Sequence, residues 1–413
     1  MRTEFNKELI WNYISLVFMA ISGLIMNIII AFFYGSNVLG VFSETYAWYM
    51  ILSQLSVWGI HMAIVKFVPE KDGEIEKNSL LKTGLFLTIL TSLTITGISE
   101  IVLLFLGDTA WGKSMQIAFT GMILLSVNKV LLNYLNAISQ MIPYAFFSSL
   151  RYVCLGVIIL LVSLFGLRYE YLAIVFPLTE IIVFAAMLVF FLFRVPMPGK
   201  FESHSMGKIF FFGTKILPSY MVLEMNTKVD VVCLGMLVSD VSLIGKYSFA
   251  IFFTEGFYML YITVRKLINP GIAKTHAVGS LANYIDETSS FLKKYLTIGG
   301  TAAFAGISIG FMVICGILGK NEFQSGVIYI LIIGAAILFN GKYIVFGDLL
   351  AQTGFPLEES ILNIMTIAGN FVLNILLISI FGVSGAAGAT AVSYFIFSIY
   401  MKWRVKRRVG FRI

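Results

Sequence analysis

Charge is scarce in this sequence of 413 residues. Lys, Arg, Asp and Glu together supply 12% of it, about half the share near 25% usual in soluble chains. A water-soluble body of this size must cover its core with polar surface, and so little charge cannot do that. Disordered, collagenous and coiled-coil chains are excluded by the same numbers. Cysteine is scarce too. Cys154, Cys233 and Cys315 stand far apart inside apolar runs, which gives neither a disulfide framework nor a zinc site. His61, His204 and His276 are scattered, so neither a metal site nor a cofactor is expected. The sequence also lacks an Asp-x-Asp metal-nucleotide motif, a Gly-x-Ser-x-Gly elbow and a G-x-G-x-x-G fingerprint.

Apolar residues are plentiful at 59%. About 20 mostly apolar residues cross a bilayer as a helix, and twelve runs qualify. They lie near 11–33, 42–65, 83–106, 115–138, 144–166, 171–193, 207–236, 243–266, 295–318, 326–351, 358–380 and 384–402. The seventh is interrupted by Lys215, Pro218, Glu224, Lys228 and Asp230. The first is too long for a signal peptide and has no small-residue cleavage site, so it reads as an uncleaved span. The segment Asn269–Ser290 resembles an amphipathic connector lying on the cytoplasmic surface.

Net charge is +7. In a membrane chain, basic residues report orientation before they suggest nucleic acid. Twelve spans put both termini on one face, and that face collects 20 lysines and arginines, against four on the other, Lys113, Arg168, Lys246 and Lys320. Cytoplasmic termini follow, in a multi-pass membrane protein with no nucleic-acid partner. The basic end from Lys402 to Arg412 reads as a topology anchor rather than a binding tail. Outward loops, such as Tyr34–Val41 and Gly319–Phe323, are short turns.

The two halves echo each other. Leu39-Gly40-Val41-Phe42-Ser43 returns as Ile244-Gly245-Lys246-Tyr247-Ser248; Lys129 and Pro143 return as Lys342 and Pro356; Phe165-Gly166-Leu167 returns as Phe381-Gly382-Val383. The matches keep their order at offsets of 205, 213 and 216 residues. The expected fold class is therefore an all-α polytopic membrane protein. About twelve transmembrane helices would form two pseudo-symmetric six-helix bundles, 1–200 and 201–413, around a central cavity. Such internal repeats are typical of secondary transporters.

The first span ends Asn27-Ile-Ile-Ile-Ala-Phe-Phe-Tyr34-Gly35 and is followed by Leu39-Gly40. Asp230 precedes Gly235 and Ile244-Gly245-Lys246-Tyr247, and a late run reads Phe381-Gly382-Val383-Ser384-Gly385-Ala386-Ala387-Gly388-Ala389-Thr390. In these features the chain resembles the multidrug/oligosaccharidyl-lipid/polysaccharide exporter superfamily, on the polysaccharide branch of O-antigen (Wzx-type) flippases. The resemblance implies two bundles around a V-shaped cavity open alternately to each side. It also implies transfer of an undecaprenyl-diphosphate-linked oligosaccharide between leaflets, beside a polysaccharide polymerase and a chain-length regulator.

Ionisable groups inside spans are candidate functional residues whatever the family. Lys129, Arg151, Lys215, Lys228 and Lys342 are the bases. At about 2.5–3.5 kcal/mol each, five facing lipid would cost roughly 12–18 kcal/mol, as much as a whole fold's stability. Arg151 and Lys215 are close enough to a membrane edge to snorkel. Lys129 and Lys342 are about 14 Å from it at 1.5 Å per residue, so they are the first candidates to grip a diphosphate, with Arg151 and Lys215 beside them. Glu180, Asp230 and Glu255 stand further out and are candidates for a coupling cation or a gate. Glu224 and Lys228 have the spacing of a helical ion pair. Asn226 shares a face with Asp230, which has no local partner. Glu44, Glu100 and Asp348 lie near span ends and read as interfacial.

Gly107-Asp-Thr-Ala-Trp-Gly112-Lys113-Ser114 matches the phosphate-loop pattern, but that chemistry needs a preceding strand. Here it falls in a turn between two membrane helices and reads as coincidence. A cation-coupled multidrug antiporter and a membrane polysaccharide polymerase or ligase remain as alternatives. The first favours acids over bases in the cavity. The second is an enzyme and needs catalytic groups and a sizeable outward loop.

Overall fold

The computed structural model describes residues 2–105, 109–166, 169–194 and 199–410, with side chains from 21 onward except those of 169, 170, 223, 226, 227, 270, 273, 277, 291–296 and 356. Helices account for nearly all of them: α1 (Arg2–Val57), α2 (Ile60–Phe67), α3 (Glu74–Phe105), α4 (Ala110–Phe119), α5 (Met122–Ala137), α6 (Met141–Leu164), α7 (Val175–Arg194), α8 (Ser203–Leu237), α9 (Val241–Ala277), α10 (Leu281–Ile317), α11 (Val327–Val345), α12 (Leu349–Gln352), α13 (Pro356–Phe381) and α14 (Val383–Arg408). Among the described residues nine helical segments are long and apolar enough to cross a membrane, or ten if α4 and α5, bent by 45°, make one span. The protein is an all-α polytopic membrane protein. Its apolar exterior agrees: Phe193 is 81% exposed and Phe339 75%, a surface suited to hydrocarbon rather than water.

The chain forms two compact units. Unit 1 comprises Met1–Tyr34 and Val41–Lys228; unit 2 comprises Gly35–Gly40 and Val229–Ile413. The boundary falls inside α8, and a six-residue piece of α1 is counted with unit 2.

In unit 1, α5 is the central helix and packs on α2, α3, α6 and α7. Its apolar residues recur at helical spacing, and Val127, Val130, Leu131 and Leu135 are buried against Ile60, Ile64, Leu81 and Phe191. Such a face repeats every three or four residues. The bend before α5 is made at Gly121, where a Cβ would collide with Pro177. In unit 2, α11 packs on α9, α10 and α14, and α13 pairs with α14. Gly385 lets that last pair approach backbone to backbone, since any Cβ there would strike the Leu377 carbonyl.

Two departures from the sequence expectations have local causes. Runs 11–33 and 42–65 join in α1, whose helical geometry is broken at Gly35 (φ 80°, ψ −173°). Glycine alone takes that conformation cheaply. The surface connector expected at Asn269–Ser290 is not a separate helix. Instead α9 runs on to Ala277, a turn at Val278–Ser280 reverses the chain, and α10 starts at Leu281. The Tyr284 hydroxyl donates to the Ile268 carbonyl (3.4 Å) and so ties the two extensions together. Part of the apolar face of the pattern is packed, with Leu281 and Ile285 buried.

Candidate functional site

Each unit contains a polar cluster inside its helix packing. In unit 1 the cluster joins α1, α5, α6, α7 and α8. Lys129, partly buried on α5, donates to the Ser53 hydroxyl on α1 (2.8 Å). Ser53 in turn donates to the Met50 carbonyl (2.6 Å). The lysine is thus tied to a neighbouring helix.

Arg151 on α6 and Glu180 on α7 form an ion pair, Nε to Oε1 at 2.6 Å, with side chains 10% and 1% exposed. Asn128, beside Lys129, donates to the second Glu180 oxygen (2.9 Å) and to the Glu180 carbonyl (3.0 Å). Sequence reading assigned Arg151 and Glu180 to different roles and depths. In the structure they neutralise each other, so each offsets the desolvation of the other. Their partnership is hidden in sequence because it joins neighbouring helices across 29 residues.

Further along, Gln54 donates to Glu224 (2.9 Å). The Lys228 ammonium stands 5.3 Å from the centre of the Tyr46 ring, within cation–π range. The Glu224–Lys228 spacing is therefore supplemented by contacts that reach α1. Lys215 is exposed on α8, which continues unbroken through Pro218. His61 is 6% exposed and meets the Tyr220 ring edge-on at 5.3 Å. Glu44 is buried at 8% exposure.

The cluster of unit 2 is built around one carboxylate. Asp230 receives the Tyr247 hydroxyl from α9 and the Thr390 hydroxyl from α14, both on Oδ2 at 2.6 Å. Asn374 on α13 donates to Oδ1 at 2.8 Å. Asn374 also contacts Oδ1 of Asn370, one turn earlier (3.1 Å). The partners that sequence reading could not find for Asp230 come from three other helices. The pair Asn370 and Asn374, four apart in an apolar run, was the available signal. Asn226 has no described side chain.

Glu255 is partly buried on α9, and Lys342 is exposed on α11. At the end of α9, Arg265 pairs with Asp348 (3.3 Å), which also accepts from Asn269 (2.7 Å). Asp348 is tied into helix packing here. In the phosphate-loop look-alike, residues 106–108 lie outside the described residues. The remainder is a helix start, where the Thr109 hydroxyl accepts from Gly112 N (3.0 Å), an ordinary N-cap. Among the described residues no group of three His, Cys, Asp or Glu is arranged to hold a metal ion.

Chemically, unit 1 can meet an anion with Lys129, whereas unit 2 presents an anion held by neutral dipoles. Residues 5–274 match a family model described as Polysaccharide biosynthesis protein. A solved structure of the lipid II flippase MurJ, in an inward closed conformation, aligns with 96% of this chain and 87% of that one, at a TM-score of 0.78 and 17% identity. An inward-facing multidrug resistance MATE family transporter of the MOP superfamily aligns with 95% of this chain and 94% of its own, at a TM-score of 0.72 and 10% identity. The MATE multidrug transporter DinF-BH, solved in a complex, covers 97% and 94% at a TM-score of 0.63 and 17% identity. At such identities the likeness is one of fold. Among curated proteins none matches the sequence.

Proposed function

The chain belongs to the polysaccharide biosynthesis protein family, and on that premise we propose that it is a flippase and not an enzyme. It carries an undecaprenyl-diphosphate-linked oligosaccharide, an O-antigen or capsule repeat unit, from the cytoplasmic to the outer leaflet of the bacterial inner membrane by alternating access. The fold shared with a lipid II flippase supports this reading.

Twelve spans in two six-helix bundles around a central cavity, with both termini cytoplasmic, are the architecture of the proposal. Among the described residues nine helical segments are long and apolar enough, or ten with α4 and α5 taken as one span. Dividing α1 at its Gly35 break adds one. Counting α8, whose charges lower its hydropathy, adds the twelfth.

Lys129 carries the functional reading. Its amine lies in the interior of unit 1, bonded to a neutral hydroxyl, where a diphosphate can replace one neutral acceptor with a charged one. Lys342 is its repeat-mate and the second grip, and Arg151 and Lys215 are the further cations. Asp230 takes a coupling cation. Its negative charge is balanced in the structure by hydroxyl and amide dipoles, and such oxygen-rich surroundings suit a hard cation. Glu180 and Glu255 act on the outward side of the cycle, and Glu224 with Lys228 forms a structural pair.

Purified protein in vesicles should move a fluorescent lipid-diphosphate sugar between leaflets. Drug efflux without such movement would replace this reading with the antiporter.

A further inference from the structure

Ser53 and Gln54 are adjacent on α1 and hold two opposite charges. The Ser53 hydroxyl accepts from the Lys129 ammonium (2.8 Å), and the Gln54 amide donates to Glu224 Oε2 (2.9 Å). All four residues belong to unit 1. Among the charges that act on the Lys129 ammonium, that of Glu224 is the largest. A structural pairing of Glu224 with Lys228 explains neither its tether to Gln54 nor this action on Lys129.

The two acids of the unit 1 cluster differ in how fully their surroundings are satisfied. The Glu180 side chain is 1% exposed, and its oxygens take a guanidinium and the Asn128 amide. Glu224 is only partly buried. Its tether Gln54 is 8% exposed, yet Gln54 Oε1 has no partner among the described residues. The same holds for Nδ1 of His61, which is 6% exposed and feels the charge of Lys129. Polar atoms left unmet in a dry interior are disfavoured. This side of the cluster is therefore not a finished internal network.

An anion that reaches Lys129 also comes under the charge of Glu224. Water screens little there, so a carboxylate and a diphosphate near one ammonium repel each other. The diphosphate carries more charge and takes the lysine, but it is held less tightly than a lone lysine would hold it. Such weakening suits a carrier, whose cargo must bind firmly enough to load and weakly enough to leave.

We propose that Glu224 is an internal competitor for Lys129. It balances the lysine before cargo arrives, yields it to the diphosphate and then speeds the diphosphate's release. The proposal rests on the phosphate-gripping role given to Lys129 above, and its test separates the two. The binding probe is farnesyl diphosphate, a short lipid diphosphate without sugar, titrated calorimetrically into the purified protein. E224Q, whose amide oxygen still accepts from Gln54, should bind the probe at least fivefold tighter than the parent. At saturating lipid-linked sugar it should turn over at least threefold slower. In a K129Q background the same substitution should gain less than twofold. E224D, which keeps the charge, and E70Q, which removes an acid elsewhere, should each stay within twofold of the parent. Binding no tighter in E224Q, the same gain in E224D or E70Q, or a full gain without Lys129 would overturn the competitor. Unchanged turnover in E224Q would overturn its part in release. A parent that binds the probe but moves no lipid-linked sugar would refute the flippase reading, while the E224Q affinity still decides the role of Glu224. A parent that binds no probe would overturn both.

Discussion

Two carboxylates inside the helix packing, Glu180 of unit 1 and Asp230 of unit 2, are stabilised in opposite ways. Glu180 in unit 1 faces a guanidinium at 2.6 Å. Asp230 in unit 2 faces two hydroxyls and an amide. In the first site each charge already faces an opposite one, and the pairing holds helices together. The second keeps its negative charge with dipoles alone, and dipoles can turn to share that charge with an incoming cation. A charged residue inside a membrane span is therefore not one kind of signal. Its meaning depends on whether its partner is an ion or a dipole.

The comparison can be broken or sharpened experimentally. The largest effect is expected from K129Q combined with K342Q, which should reduce lipid-linked sugar movement at least a hundredfold while leaving membrane insertion intact. Full activity in that double variant would remove the phosphate-gripping role of unit 1.

Next, D230N should lower transport at least tenfold and abolish any rise in melting temperature produced by a monovalent cation or by protons. A cation-dependent melting shift that survives in D230N would place the coupling ion elsewhere.

R151M should destabilise the protein by about 3–5 kcal/mol, the usual result of stranding one member of a buried pair. Adding E180Q should recover at least half of that loss, because Gln still accepts from Asn128. Additive losses in thermal unfolding would show that the two residues do not act as a pair.

The smallest effect belongs to the surface. Lys66, with Lys208 behind it, holds the Glu70 carboxyl below its ordinary value, chiefly through the Lys66 hydrogen bond. A depressed carboxylate stabilises the fold above its unfolded pKa and loses that contribution as the pH falls through its folded one. At an exposed position screened by salt the contribution is slight, so E70Q should leave the acid-unfolding midpoint unchanged at physiological ionic strength.

Much of the fold was legible because the cues are local. A run of about twenty apolar residues needs no partner to be recognised, and the runs at 144–166 and 358–380 correspond to α6 and α13. Interruptions were harder to read. The charges of α8 hide a 35-residue helix, and the polar face of Asn269–Ser290 suggests a surface helix where two long helices meet. The site was legible as a set of residue types and not as an arrangement. Lys129, Arg151, Glu180 and Asp230 all stand out as charges in apolar surroundings. Asn128, Ser53, Tyr247 and Thr390, which bond to them, are unremarkable until the helices are packed.

The sequence by itself determined that this protein lives in a bilayer, how its apolar helices are spaced, and that its halves share a pattern. Each of these depends on composition and short-range periodicity, which survive without knowledge of what packs where. Tertiary structure alone decided that Arg151 belongs to Glu180, that Asp230 belongs to Tyr247, Asn374 and Thr390, and that Gly40 meets Gly245. Those outcomes depend on which helices come within about 3 Å of one another, the reach of a hydrogen bond, and no local pattern encodes that.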